Sequence, residues 1–298
     1  MPPRNSAAYT AIVALVLCLV CSAVVSVFAV GLQPWQAKNK ELDKKKNVLR
    51  AAGKSLLVDV GVVDEDASND AVSAAFNGLS AQRVDEIFEE RFKVHLVDIS
   101  EGEVVDTESE SAPVDPDAYD ARKAANDPEL SVPVEPDALP GIATREPYAE
   151  VYEILKGGET DGYVFPIYGK GLWSTLYGFL AVEADGQTVR GITFYQHAET
   201  PGLGGEVDNY GWKALWPGKK LYEKQGEVTL SVIKGAASPD NEYAIDGLSG
   251  ATITSKGVDN MIKYWLGPKA FGQFLAKQTG DGEEPVAKLP AARRLAAK

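Results

Sequence analysis

Hydrophobic and polar positions divide the 298-residue chain into stretches of distinct character. No charged residue lies between Arg4 and Lys38, and the run from Tyr9 to Leu32 is mostly apolar. It is longer than the roughly 20 residues a helix needs to cross the hydrocarbon core of a bilayer. It also outruns the roughly 7–15-residue apolar core of a cleaved signal peptide, continuing into Val27-Phe28-Ala29-Val30. Leu15-Val16-Leu17 ahead of Cys18 lacks the small residues of a lipoprotein cleavage site. The pattern predicts a retained transmembrane helix over 9–32 after a short tail, 1–8, with Trp35 as an interfacial ring.

After the span, Gln36 to Ala52 reads as a charged helix with Leu42, Val48 and Leu49 as its sparse apolar side, and Gly53 is expected to end it. Val84, Ile87, Phe88 and Phe92 share a face of a helix over 81–92, and Val94 to Ile99 then reads as a strand. Residues 100–140 are acidic and proline-rich, a composition that buries little and stays solvated. Their carboxylates lack the regular ligand spacing of a calcium loop. Strands are predicted over Tyr163–Tyr168, Gly178–Glu183 and Thr188–Tyr195, the last two joined at Asp185-Gly186, a hairpin signal. Gln196 to Gly205 is too rich in glycine and proline for either regular element. Asp208 is the expected cap of a short helix through Leu215, and Val228–Lys234 a further strand. Val258, Met261, Ile262, Trp265 and Leu266 then recur at helical spacing, with Thr254 and Ser255 as N-cap candidates and Gly267-Pro268 as the stop. A last helix turns Phe271, Phe274 and Leu275 inward, before a frayed end over 279–298.

With neither a βαβ alternation nor a Rossmann glycine fingerprint, the fold class is α+β: a single transmembrane helix followed by a soluble α+β domain. The expected divisions are a membrane-proximal region over 33–147, a main domain over 148–277 and a C-terminal tail over 278–298.

Charge and rare residues narrow the chemistry. Thirty lysines and arginines against 43 acidic residues leave a net charge of −13, which excludes a nucleic-acid partner held by phosphate contacts. Cys18 and Cys21 both lie in the apolar run, so the remainder has no disulfide, cysteine nucleophile or cysteine-ligated metal. His95 and His197 are too few for a histidine metal site.

The informative stretch is Asp246 to Ser255. Gly247 and Gly250 allow a tight turn, and a helix start just beyond offers free amides and the positive end of its dipole, a setting that suits a phosphate near Thr252. The same cluster serves equally as a plain helix cap. No activating base accompanies the Thr252 hydroxyl in sequence, so no catalytic residue is assigned.

Together, Ser249-Gly250-Ala251-Thr252, Glu199-Thr200-Pro201-Gly202-Leu203-Gly204 and Gly169-Lys170-Gly171-Leu172-Trp173-Ser174 resemble the FMN-binding domain of the C-type subunit of the bacterial Na⁺-translocating NADH:quinone reductases. The post-span segment Asn39 to Leu49 is similar as well. The resemblance implies an electron-relaying subunit of a translocating oxidoreductase, with no NADH or quinone site of its own. FMN is expected as a phosphoester on Thr252, placed there by a separate flavin transferase that recognises Asp246 and the glycine-alanine turn. Ser249, Gly250 and Ala251 would form the attachment turn. Thr200, Leu203 and Gly204 would line the ring, with Trp173 and Ser174 closing the pocket. Glu199 and His197 are expected in turn or hydrogen-bonding roles, because outer-sphere electron transfer needs no acid/base pair. Lys256 is a candidate for neutralising phosphate, or simply a solvated lysine.

The resemblance also implies the bacterial inner membrane, other subunits of the reductase as partners, and a soluble domain on the periplasmic side. The lysines from Lys38 to Lys46, with Arg50, argue the opposite orientation by the positive-inside rule. Two other readings remain: the G-type subunit of an Rnf electron-transport complex, which shares the threonine motif, and a membrane-tethered binding module without a redox group.

Overall fold

The computed structural model describes residues 3, 6–107, 112–115, 118–224 and 226–280. The chain divides into two units, Met1–Lys45 and Lys46–Lys298. In the first, the helical residues carry an apolar window of mean hydropathy 2.9, long enough to cross a membrane, with none of it buried. Helix α1 as a whole runs Ala7–Asp59. Gly53, with φ 79° and ψ −170°, ends the first helical stretch as the sequence led one to expect, and a second stretch follows it to Asp59. The helix resumes because Leu56 and Leu57 bury completely, and glycine is needed at the break because a Cβ there would stand 3.0 Å from the Arg190 carbonyl oxygen.

In the second unit, helices α2 (Asn69–Gly78) and α3 (Ala81–Arg91) are each capped by a serine hydroxyl, Ser68 and Ser80. The sequence assigned nothing to α2, whose only buried side chains are Val72 and Phe76. Strands β1 (Phe92–Asp98) and β2 (Glu103–Val104) follow, then a helical turn α4 (Ala121–Ala124) and the short strands β3 (Val132–Pro133) and β4 (Thr144–Arg145). The main strands are β5 (Tyr148–Lys156), β6 (Glu159–Lys170), β7 (Thr175–Glu183) and β8 (Val189–Gln196). They form one antiparallel sheet in the order β2-β1-β5-β6-β7-β8. Strand β1 pairs with β5 along its whole length, from Phe92 opposite Ile154 to Asp98 opposite Tyr148, so the sheet runs straight across residue 148.

After β8 come a 3₁₀ turn (Gly204–Asp208), helix α5 (Tyr210–Lys213), strands β9 (Tyr222–Lys224), β10 (Glu227–Val228), β11 (Ser231–Val232) and β12 (Ala244–Ile245), then α6 (Thr252–Trp265) and α7 (Gly272–Gln278). The cap of α5 is Asn209, whose side chain accepts the Gly211 amide, rather than Asp208. The strand expected over 228–234 is broken in two, its halves pairing with different neighbours. Of the expected tail, residues 281–298 lie outside the described residues.

Phe165, Ile167, Leu180 and Val182 on one face of the sheet pack with Trp265, Phe271 and Phe274. Trp265 is fully buried, stacks on Phe271 at 5.5 Å and donates its indole N–H to the Tyr168 carbonyl at 2.7 Å, so α6 is fixed against β6 both by apolar area and by one directional bond. The acidic segment is not wholly solvated, contrary to its composition. Val134 and Leu139 join this same core, and Arg122 lies 3.9 Å over the Tyr177 ring while donating to Gln196 at 2.8 Å. Isolated apolar residues between the prolines are enough to dock the segment once a core is there to receive them.

Candidate functional site

Three segments distant in sequence meet at the end of the sheet where β6 and β8 finish and β7 begins. The first is the turn 171–174 between β6 and β7, closed by the Gly171 amide donating to the Ser174 carbonyl at 2.8 Å. The second is the loop 197–203 after β8. The third is the start of α6 with the turn before it. Gly257 lies against the Lys170 backbone and Gly169 against Met261, contacts that a larger side chain would prevent, so α6 lies directly on the end of β6.

Glu199 joins the three. Its side chain is 5% exposed, and its carboxylate accepts the amides of Leu172 (3.1 Å), Trp173 (2.9 Å) and Ser174 (3.2 Å) and the Thr254 hydroxyl (2.6 Å). Burial works against its charge, but the Thr254 hydroxyl and the three amides outweigh that and hold the carboxyl below its ordinary value of 4.5. Gly171 and Gly204 make room for it: a Cβ on Gly171 would meet Glu199 Oε1 at 2.7 Å, and one on Gly204 would meet Thr254 Oγ1 at 2.5 Å and Glu199 Oε2 at 2.9 Å. Behind it, the His197 ring accepts the Glu199 amide through Nδ1 at 3.2 Å and bonds Asp208 through Nε2 at 2.8 Å, an arrangement that puts the ring proton on Nε2. The hydrogen-bonding roles expected of Glu199 and His197 are thus present; the central place of Glu199 among the three motifs is what the sequence did not disclose.

The first residue of α6 is Thr252, with Ala251 at the cap making no side-chain cap bond. Thr254 and Ser255 are therefore not N-caps. Both point inward within the first turn, Thr254 to Glu199, and Ser255 to the Leu248 amide (2.9 Å) and the Ala251 carbonyl (3.0 Å). Thr252 is exposed, like Ser249 and Gly250 in the turn before it, and Gly250 adopts φ 71°. The first-turn amides of a helix have no intrahelical partner, so they remain available to an anion here.

Thr252 also lines a cleft of about 140 Å³ with Gly235, Gly247, Leu248, Lys234 and Lys256. Lys256 is exposed, as a solvated lysine would be, and bonds Asp259 at 2.8 Å. Asp246 is half-buried, and its carboxylate accepts the Ala237 amide at 2.8 Å while its carbonyl accepts the Trp212 indole N–H at 2.8 Å.

Around this turn the apolar side chains are unusually open: Trp173 is 66% exposed, Leu203 43% and Ile253 57%. Trp173 reaches across to donate its indole N–H to the Thr200 hydroxyl at 3.2 Å, so it belongs to the site surface and not to the core. Leu203 lies against Gly250, where a Cβ would meet it at 2.9 Å. The Ser174 hydroxyl accepts the Ala198 amide at 2.8 Å and closes the gap between the two loops. The site thus offers an exposed hydroxyl at a helix start, two lysines beside it, and apolar side chains with neighbouring loop amides. That donor set fits a phosphate joined to a planar heteroaromatic ring.

Comparison with known proteins points the same way. Residues 171–267 match the family described as the FMN-binding domain. The C-type subunit of the Na⁺-translocating NADH-quinone reductase of Pseudomonas aeruginosa is 44% identical over 285 residues, covering 93% of this chain and 97% of the relative. That of Yersinia pestis is 39% identical, covering 92% and 95%. Among solved structures, Shewanella oneidensis NqrC superposes with a TM-score of 0.65 at 30% identity, covering 82% of this chain and 99% of that one.

Proposed function

The chain belongs to the C-type subunit family of the Na⁺-translocating NADH-quinone reductases, an electron-transfer flavoprotein component of an oxidoreductase complex, and from that premise we propose that its FMN is carried as a phosphoester on Thr252. The observation that carries this reading is a contrast among three hydroxyls in the first turn of α6. Thr254 and Ser255 are buried and committed to Glu199, Leu248 and Ala251, whereas Thr252 faces solvent at the helix start. Thr252 is then a substrate for a separate flavin transferase, consistent with the absence of a general base bonded to it among the described residues. Asp246, half-buried with its carboxylate on the Ala237 amide, and the glycine-alanine turn are what that enzyme would recognise.

When bound, FMN supplies reversible electron acceptance; the protein supplies position and electrostatics. The first-turn amides and Lys234 favour the phosphate, Trp173 and Leu203 offer apolar surface to the ring, and Gly204 with Thr200 leaves backbone close by. No acid or base is assigned.

The N-terminal helix anchors the protein in the bacterial inner membrane beside the other subunits of the reductase. The soluble unit is read as periplasmic, on the strength of the family resemblance and against the lysine count. Protease added to intact spheroplasts is expected to digest it; protection would reverse the orientation.

For the attachment, wild type and Thr252→Val are each made with the transferase and viewed under ultraviolet light on a denaturing gel. Fluorescence is expected in the wild type and none in the variant. Fluorescence retained in Thr252→Val would move the attachment, and a colourless wild type would favour a membrane-tethered binding module. The Rnf-type reading is weaker, because the C-type relatives match over almost their whole lengths. Co-purified subunits distinguish the two complexes.

A further inference from the structure

Resting on the reading of Thr252 as the flavin carrier, we infer that Glu199 is a positioning residue whose uncompensated charge lowers the electron affinity of the flavin. Three features support this. First, the carboxylate is buried at the junction of the segments that carry Trp173, Thr200, Leu203 and Thr252, and it touches each of those segments directly or through its own chain. Second, all four of its donors are neutral: three amides and one hydroxyl. Among the described residues it forms no ion pair; Lys256 is committed to Asp259, and His197 meets only the Glu199 backbone amide. Third, the fit is built in by Gly171 and Gly204, neither of which has room for a Cβ beside this carboxylate.

A buried charge stabilised by neutral dipoles keeps its field, whereas one stabilised by a counter-ion does not. Each electron that enters the flavin from a neighbouring redox centre adds a negative charge before any proton follows. A fixed anion in the same site opposes that addition and makes the midpoint potential more negative. The same four bonds hold the Trp173 turn, the Thr200–Gly204 loop and the Thr252 helix start at fixed separation, so charge and position are set by one side chain.

The charge persists wherever Glu199 is ionised. Because its carboxyl lies below 4.5, the field is present at neutral pH and is lost only as pH falls through that lowered value. The titratable groups facing it are His197, with Asp208 behind the ring; Lys170 precedes the turn on β6, and the Lys256–Asp259 pair lies further along α6.

The test uses the full-length protein in detergent, made with the flavin transferase, with potentiometric titration followed by flavin absorbance. Glu199→Gln is nearly isosteric and removes the charge, while turning one of the two accepting oxygens into an N–H donor. At equal in-gel fluorescence, its midpoint potential is expected to lie positive of wild type at pH 7; an unchanged potential overturns the inference. If Glu199→Gln does not load, Thr254→Val decides. Removing one donor raises the Glu199 pKa, so the rise in potential on acidification is expected to begin at higher pH than in wild type, and Thr254→Ser restores it. Identical pH profiles in all three overturn the inference. A wild type without covalent flavin would instead sink the Thr252 assignment.

Discussion

Arg190, near the start of β8, and Glu199, three residues past its end, are both buried charges, and the chain accommodates them in opposite ways. Arg190 is neutralised: its guanidinium bonds the Asp161 carboxylate at 2.6 Å and that of Glu183 at 3.2 Å, with a further bond to the Ala52 carbonyl at 3.1 Å. It ties α1, just before the break at Gly53, to the sheet, at the end away from the turn 171–174. Glu199 has no counter-charge among the described residues and is held by three amides and a hydroxyl. The difference teaches where function lies: a compensated charge serves the fold, while a charge left with its field intact marks a site at which another charge is to be gained or lost.

The comparison is broken most forcefully at Arg190. Arg190→Met leaves Asp161 and Glu183 facing each other without their cation, and, with those carboxylates partly screened by solvent, is expected to cost about 2–4 kcal/mol, read as a lower melting temperature, with flavin loading unchanged in the protein that folds. A loss under about 1 kcal/mol would show that solvent already screens those carboxylates and that the two ends of β8 are less different than they look.

Thr254→Val comes next. It removes one charge-assisted bond from Glu199 without changing side-chain shape, and is expected to cost about 1.5–3 kcal/mol by the same melting measurement. A neutral result would mean that the three amides suffice.

Acid sharpens the contrast at smaller amplitude. Glu199 has a folded pKa below its ordinary 4.5, so its contribution is fully present above that value and is lost as pH falls through the folded pKa. The stability gap between wild type and Glu199→Gln should therefore be constant from pH 7 to about 5 and close in stronger acid. A gap that widens on acidification would contradict the bonding described.

Least affected should be Lys256→Ala. The lysine side chain is 64% exposed, and Asp259 keeps Lys263 at 3.0 Å and the Ser231 hydroxyl at 2.6 Å, so a loss of at most about 0.5–1 kcal/mol is expected on melting.

Much of the molecule is legible in local patterns. The apolar span, helix α3, the hairpin of β7 and β8 and the face of α6 all follow from periodicity, and three short motifs taken together point to Thr252. Strand β5 escapes because its apolar residues at 148, 151, 152 and 155 also fit a helical spacing; pairing with β1 and β6 decides the matter. Thr254 and Ser255 read locally as caps because their hydroxyls suit that role, and only the neighbouring loop reveals that they face inward.

The sequence by itself determined most of the elements, the membrane-length helix and the turn proposed to carry the flavin, since each is encoded by neighbours within one or two turns of backbone. Tertiary structure alone decided that Glu199 sits among three motifs and that the acidic segment docks. Glu199 takes its partners from 25–27 residues upstream and 55 downstream, and Arg122 bonds Gln196 from 74 residues away. Separations of that length leave no periodic trace in a chain; they exist only once the sheet brings its loops to one end.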